Sequence, residues 1–243
     1  MGKLKARLRR AEFITTYYSI VFNPSFILRH GLYKAITKAS ENIEGHVLDF
    51  GCGSKPYETL FEKAETYTGV DIESSGHQHS ESRIDVFYDG RNLPFPDNHF
   101  DSVVCFDVFE HVFNIDEVLE EIARVLRPGG KILLSVPFAW DEHEIPFDFA
   151  RYTSFGLMSV LERNGYTVVA LTKTTTYFLA ISQIFIAYLE QCVLPKGRVL
   201  GRVGQLVIIF PISVMALILN NIFPKRYEYY SSMVVLASNE AQK

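Results

Sequence analysis

The segment Val47–Tyr57, VLDFGCGSKPY, constrains this chain more than any other. A short apolar run that reads as a buried strand ends on an acid, Asp49, and passes at once into Gly51 and Gly53. Two residues without a Cβ, one position apart, let the backbone turn tightly and let a ligand lie against it. The reading predicts a helix next, with Pro56 tolerated in its first turn. The free N–H groups and positive dipole end of such a helix would face an anion. A plain tight turn uses the same residues, so the turn alone decides little. A second strand signal, TYTGVDI, adds weight because it ends on Asp71, where an acid commonly holds ribose hydroxyls.

The rest of the core follows the same alternation. Strand signals recur as HVLDF, TYTGVDI, SRIDVF, FDSVVCF and KILLSVP, and NIDEVLEEIARVLRPGG is the clearest helix. In that helix Ile115, Val118, Leu119, Ile122 and Leu126 recur at helical spacing. Asn114 with Glu117 resembles a capping box, and Pro128-Gly129-Gly130 ends the run. Strands alternating with helices predict a parallel sheet covered on both faces. A loop, a helix (SFGLMSVLERNG, capped by Thr153) and a strand (YTVVALTK) follow, and SSMVVLAS reads as a last strand.

With 243 residues, 48% of them apolar, the chain has material for one α/β domain with an elaboration. A net charge of −4 makes no global case for nucleic acid as a partner. Cys52, Cys105 and Cys192 are odd in number and far apart, matching neither a zinc spacing nor a disulfide framework, which points to a reducing compartment. His77 and His79 lie in a Ser/Gly/His stretch without further ligands, and no metal is expected there. No secretory signal is read at the start, and Ala6 breaks the myristoylation pattern.

From the two glycines and the two acids, a dinucleotide oxidoreductase and an S-adenosylmethionine (SAM) methyltransferase both remain open. The third glycine of the dinucleotide fingerprint is missing. Asp89, then Leu93-Pro94-Phe95, Phe100-Asp101, Glu110-His111 and LRPGGKILLSVP stand in order. This series resembles the class I SAM-dependent methyltransferases of the type 11-like group, continuously over about 45–173. The resemblance implies a Rossmann-like α/β fold, a seven-stranded mostly parallel sheet with helices on both faces. It also implies SAM as cofactor. Asp49, Gly51, Cys52 and Gly53 would line its methionine end, Asp71 with Ile72 its ribose, and Asp89 with Gly90 its adenine, while Phe106 would wall the pocket. Asp85 and Asp101 are assigned to strand edges, and Glu110 and His111 to organising the end of the fourth strand.

The loop after the fifth strand carries His143, Pro146-Phe147-Asp148 and Arg151-Tyr152-Thr153. It is similar to a narrower branch found with cell-envelope glycan biosynthesis. That likeness implies a glycan or lipid-linked acceptor, with a quinone or other lipid as the alternative. A hydroxyl acceptor gains from a base, and His143 is the candidate because a free imidazole titrates near pH 6.5. The competing reading has His143 and Asp148 pinning the loop to Arg151. A catalytically idle, membrane-associated scaffold that kept the fold is the alternative from another class.

The regions read as an N-terminal helical part (1–44), the SAM-binding core (45–176), an apolar insert (177–226) and the last strand with its tail (227–243). The insert holds two apolar runs, 177–194 and 206–223, around a basic link. Each is near the lower length limit for crossing a bilayer. Both ends return to one domain, so the insert is expected to lie in or dip into a membrane surface. The basic link and Lys3, Lys5, Arg7, Arg9 and Arg10 would add attraction to anionic lipid. A homodimer interface and a cap over the acceptor are the alternatives to lipid. The expected location is cytoplasmic, peripheral or monotopic on the inner face of the membrane.

Overall fold

The computed structural model describes residues 13–73 and 82–240. His77, His79 and the basic N-terminal residues lie outside them. The chain divides into two compact units: one up to Ala35 together with Lys173–Ser232, the other Ile36–Thr172 together with the segment from Met233.

The second unit carries the sheet. Its strands are β1 (Gly45–Phe50), β2 (Ala64–Ile72), β3 (Val86–Tyr88), β4 (Phe100–Phe106), β5 (Leu126–Pro137), β6 (Tyr166–Lys173) and β7 (Ser232–Asn239). They form one seven-stranded sheet in the order β3-β2-β1-β4-β5-β7-β6. The pairs β1–β2, β1–β4, β2–β3 and β4–β5 are parallel. The C-terminal ends of these five strands therefore share one edge, where open sheets of this kind bind ligands. β1 and β4 are central and buried on both faces, which is why VLDF and SVVC read as continuous apolar runs rather than alternating ones.

Helix α1 spans Phe26–Ser40, α2 Ile115–Val125 and α3 Ser154–Arg163. In α2 the buried residues are Ile115, Val118, Leu119, Ile122, Ala123 and Val125. Full burial of an aliphatic side chain contributes about 1.5–3 kcal/mol relative to exposure. The helix ends at Val125, ahead of the Pro-Gly-Gly, and Leu126 opens β5 instead. Asn114 makes no cap to the backbone; its amide donates to the Glu117 carboxylate at 2.7 Å, so the capping box is absent. Thr153 does cap α3, accepting from Gly156 N at 3.0 Å. Two polar pins fix the far ends: Tyr166 Oη donates to Leu119 O, and Asn239 Nδ2 to Ala123 O.

The helix expected after β1 is missing; only a single 3-10 turn, Glu58–Leu60, forms there. Lys55 sits at φ 53°, a left-handed conformation that breaks a helix before it starts, and Pro56 follows it. The segment instead buries Tyr57 and Phe61, whose rings pack on Phe106 at 5.2 and 6.2 Å.

In the first unit, α4 (Tyr177–Tyr188) runs into a π-helical turn, Leu189–Val193. After a short break come α5 (Arg198–Gly204), a second π turn (Gln205–Ile209) and α6 (Phe210–Asn220). Much of the basic link is thus helix, not loop. Ile27, Ile186, Leu194, Ile209 and Ala216 make a small core of their own. The Gln183 side chain ties α4 to the start of α1, accepting from Leu28 N and donating to Pro24 O. Val199–Asn220 is long and apolar enough to cross a membrane, with only 17% of its apolar stretch buried.

Candidate active site

The turn after β1 is built as the glycine spacing suggested, but its two glycines do different work. Gly51 takes φ 69°, and a Cβ there would come within 2.4 Å of the Val108 side chain. Its missing side chain makes room for the segment after β4. Gly53, at φ 46°, has nothing within 4 Å of where a Cβ would stand. Gly53 is the one that leaves open space beside the backbone. Gly53 N donates to Asp71 Oδ2 at 3.0 Å, and Ile72 N to Asp71 Oδ1 at 2.9 Å. Both carboxylate oxygens are thereby oriented, and each keeps a lone pair for a ligand.

Asp49 is buried beneath this turn and accepts one hydrogen bond, from Tyr67 Oη at 2.8 Å. Burial pushes its carboxyl up to about 7. Cys52 is buried too, its thiol pushed upward by the same loss of water, and it packs against Gly69. Below them the buried Lys55 ammonium pairs with Asp85, which also accepts from Gly69 N at 2.7 Å. This pair fastens the turn to β2. Lys55 was not singled out in the sequence; the Lys two residues beyond the second glycine is the only local signal, and its partner is thirty residues away.

Asp89 and Gly90 follow β3. Asp89 Oδ1 accepts from Arg91 N and Asn92 N, and these bonds hold its exposed carboxylate below the ordinary range. Gly90 takes φ 83° with open space beside it. Leu93-Pro94-Phe95 is a scaffold: Arg124 donates to the carbonyls of Leu93 and Phe95, and Glu121 accepts from Leu93 N. Phe106 closes β4 within its aromatic cluster, next to Asp107 at φ 54°. Asp101 is indeed at a strand edge, accepting from His46 N and pairing with Arg127. These two lie at the opposite sheet edge, by a concavity of about 590 Å³.

The loop after β5 meets the turn after β4. Phe149 N and Ala150 N both donate to Glu110 O. Arg151 grips Asp148 through two bonds of 2.5 and 2.6 Å, which hold the Asp148 carboxyl down at about 2. Asp148 also accepts from His143 N at 2.9 Å. The His143 ring stands edge-on to His111 with centroids 4.7 Å apart, and its Nε2 lies 3.9 Å from Glu110 Oε1. Glu110 is fully buried, and burial drives its carboxyl well above the usual range. Glu110 and His111, assigned to a scaffolding role, thus share a cluster with His143.

The glycine turn, the paired acids and the open edge mark a site for a cofactor with a nucleoside. Residues 48–134 match the family model of a methyltransferase domain. They are a class I, SAM-dependent methyltransferase domain. The chain is 37% identical over 107 residues to a fatty-acid O-methyltransferase of Mycolicibacterium smegmatis, covering 40% of this chain and 39% of that protein. The chain is 31% identical over 134 residues to the ubiquinone/menaquinone biosynthesis C-methyltransferase UbiE of Burkholderia mallei, covering 49% and 55%. The chain thus spans about half or less of the length of these curated relatives. A SAM-dependent methyltransferase structure from Mesorhizobium loti superposes with a TM-score of 0.52 at 13% identity, over 88% of this chain and all of that one. That likeness bears on the fold.

The methyltransferase domain's residues fit SAM on their own terms. Asp49 is a buried carboxylate short of positive charge, and the methionine end of SAM carries both an ammonium and a sulfonium. Gly53 and Gly90 flank open space, and Asp71 has oriented lone pairs to spare.

Proposed function

We propose that this chain transfers a methyl group from SAM to an amphiphilic lipid acceptor at a membrane surface. The observation that carries the reading is the Asp49–Gly53–Asp71 turn on the open edge of the sheet. In it Asp49 balances the cationic end of the cofactor, Asp71 holds the ribose, Asp89 and Gly90 face the adenine, and Phe106 walls the pocket. When bound, SAM supplies an activated methyl: the C–S bond breaks as the bond to the acceptor forms, leaving a neutral thioether. The chain's own task is to align acceptor and methyl and to exclude water. His143 is the residue we place beside the acceptor, where a hydroxyl's proton must leave.

The lipid class rests on two supports. Both curated relatives are named for lipid or quinone acceptors. The first unit also exposes Leu200, Val203, Val207 and Ile218 along the helix that is long enough to meet a bilayer. A quinone is the second reading, favoured by the UbiE likeness. The test is to incubate the protein with methyl-tritiated SAM and a membrane lipid extract. Label in the organic phase is expected, and chromatography then separates quinone from other lipid. Label confined to water-soluble glycan would overturn the lipid class, and no label with SAM bound would favour the idle scaffold.

A further inference from the structure

We propose that Glu110, His111 and His143 form a divalent-metal site beside the cofactor turn. The three offer ligand atoms that all lie within 4.8 Å of one another. Glu110 Oε1 stands 3.9 Å from the Nε2 of each histidine. Two ligands each about 2.1 Å from one cation have separations of this order.

The tautomers support the assignment. His111 Nδ1 lies 2.9 Å from Phe147 O, and His143 Nδ1 lies 3.1 Å from Asp141 O. A carbonyl can only accept, so His111 Nδ1 carries the proton and its Nε2 presents a bare lone pair. His143 Nδ1 faces two acceptors, Asp141 O and Asp148 Oδ2 at 3.4 Å, and one donor, Arg151 Nη2 at 3.4 Å, and the nearest of the three, Asp141 O, favours the same tautomer. Metal-bound histidines are oriented by this kind of outer hydrogen bond. Both Glu110 carboxylate oxygens and His111 Nε2 are buried and find no hydrogen-bond partner among the described residues. A protonated Glu110 does not resolve this, because 3.9 Å is too long for a hydrogen bond. One cation satisfies all three groups. Arg151, which reaches His143 on its Nδ1 side, away from Nε2, is paired with the Asp148 carboxylate through both Nη atoms. Glu144 Oε1, 3.6 Å from His111 Nε2, adds negative charge at the rim.

Two imidazoles and one carboxylate select a first-row transition cation such as Zn²⁺, Mn²⁺ or Co²⁺ over Mg²⁺ or Ca²⁺. Three protein ligands leave positions open. Resting on the methyl-transfer reading, those positions take an acceptor oxygen. A cation-bound hydroxyl loses its proton to water near neutral pH, and the oxygen then accepts the methyl. His143 in that case acts through the ion and not as a direct base.

The test titrates the full chain, stripped with chelator, with Zn²⁺ by calorimetry and with Co²⁺ by visible absorption, measuring SAM affinity on the same samples. The expected result is one equivalent bound, weakened at least tenfold by His143→Ala and by Glu110→Gln, with SAM affinity kept. Wild-type protein that binds SAM but neither metal overturns the site and leaves the methyltransferase reading intact. Metal binding unchanged in His143→Ala, a partly exposed position whose loss spares the core, also overturns it. Co²⁺ bands of a coordinated imidazole that vanish in His143→Ala support it, whatever the fate of Glu110→Gln.

Discussion

Asp49 holds the tension of the site in one side chain. Its carboxyl, ordinarily near 3.8, is raised to about 7 by burial, against the bond from Tyr67. A raised folded-state value means the folded chain holds a proton that the unfolded chain has released between those two pH values. Through this group, stability therefore falls as pH rises from about 4 to 7, by up to about 4 kcal/mol above that range. Asp49→Asn removes the penalty while keeping an acceptor for Tyr67 Oη. It should raise the urea midpoint at pH 8, with the advantage vanishing near pH 4, and it should weaken SAM binding. A variant less stable than wild type at pH 8 would show that Asp49 is not a strained charge. The same scale shows what a sequence can reveal. Asp49, Gly53 and Asp71 could be singled out because they stand at or just after strand ends, where a glycine or an acid breaks the apolar run. Lys55–Asp85 and the Glu110–His111–His143 cluster were not, because they join residues about thirty positions apart through loops that carry no periodic signal.

Among the elements, the turn after β1 is where expectation and structure parted. The glycine spacing was right, but the helix expected behind it is replaced by Lys55 at positive φ and two buried aromatic rings. Helical patterning could not show this, since Tyr57 and Phe61 are also spaced as helix neighbours. Helix α2, in contrast, was readable almost to the residue because its apolar stripe is dictated by the sheet it covers. The turn yields a sharp prediction. Gly51→Ala must drive a Cβ into Val108 at 2.4 Å and should cost about 3 kcal/mol, combining overpacking with a left-handed backbone. Gly53→Ala meets no atom and should cost only about 1 kcal/mol, yet lose SAM affinity. Denaturant midpoints and cofactor titrations on the pair check this; equal stability losses would contradict the division of labour between the two glycines.

At the scale of the whole molecule, strand order fixes where chemistry can happen. Five parallel strands deliver Asp49, Asp71, Asp89, Phe106 and the loop after β5 to one edge of the sheet. The alternation of strands and helices was readable from the motifs along the chain, though not the spatial order of the strands. The make-up of the first unit was not, since it joins chain segments more than a hundred residues apart around a core of Ile27, Ile186 and Ile209. The central claim is that this edge binds SAM, and calorimetric titration of SAM into wild-type protein and Asp71→Asn tests it most directly. The account predicts micromolar binding to wild type and at least tenfold weaker binding to the variant, whose amide cannot accept from both backbone N–H groups and the ribose as the carboxylate does. Equal affinity in the two proteins, or none in the folded wild type, would contradict it.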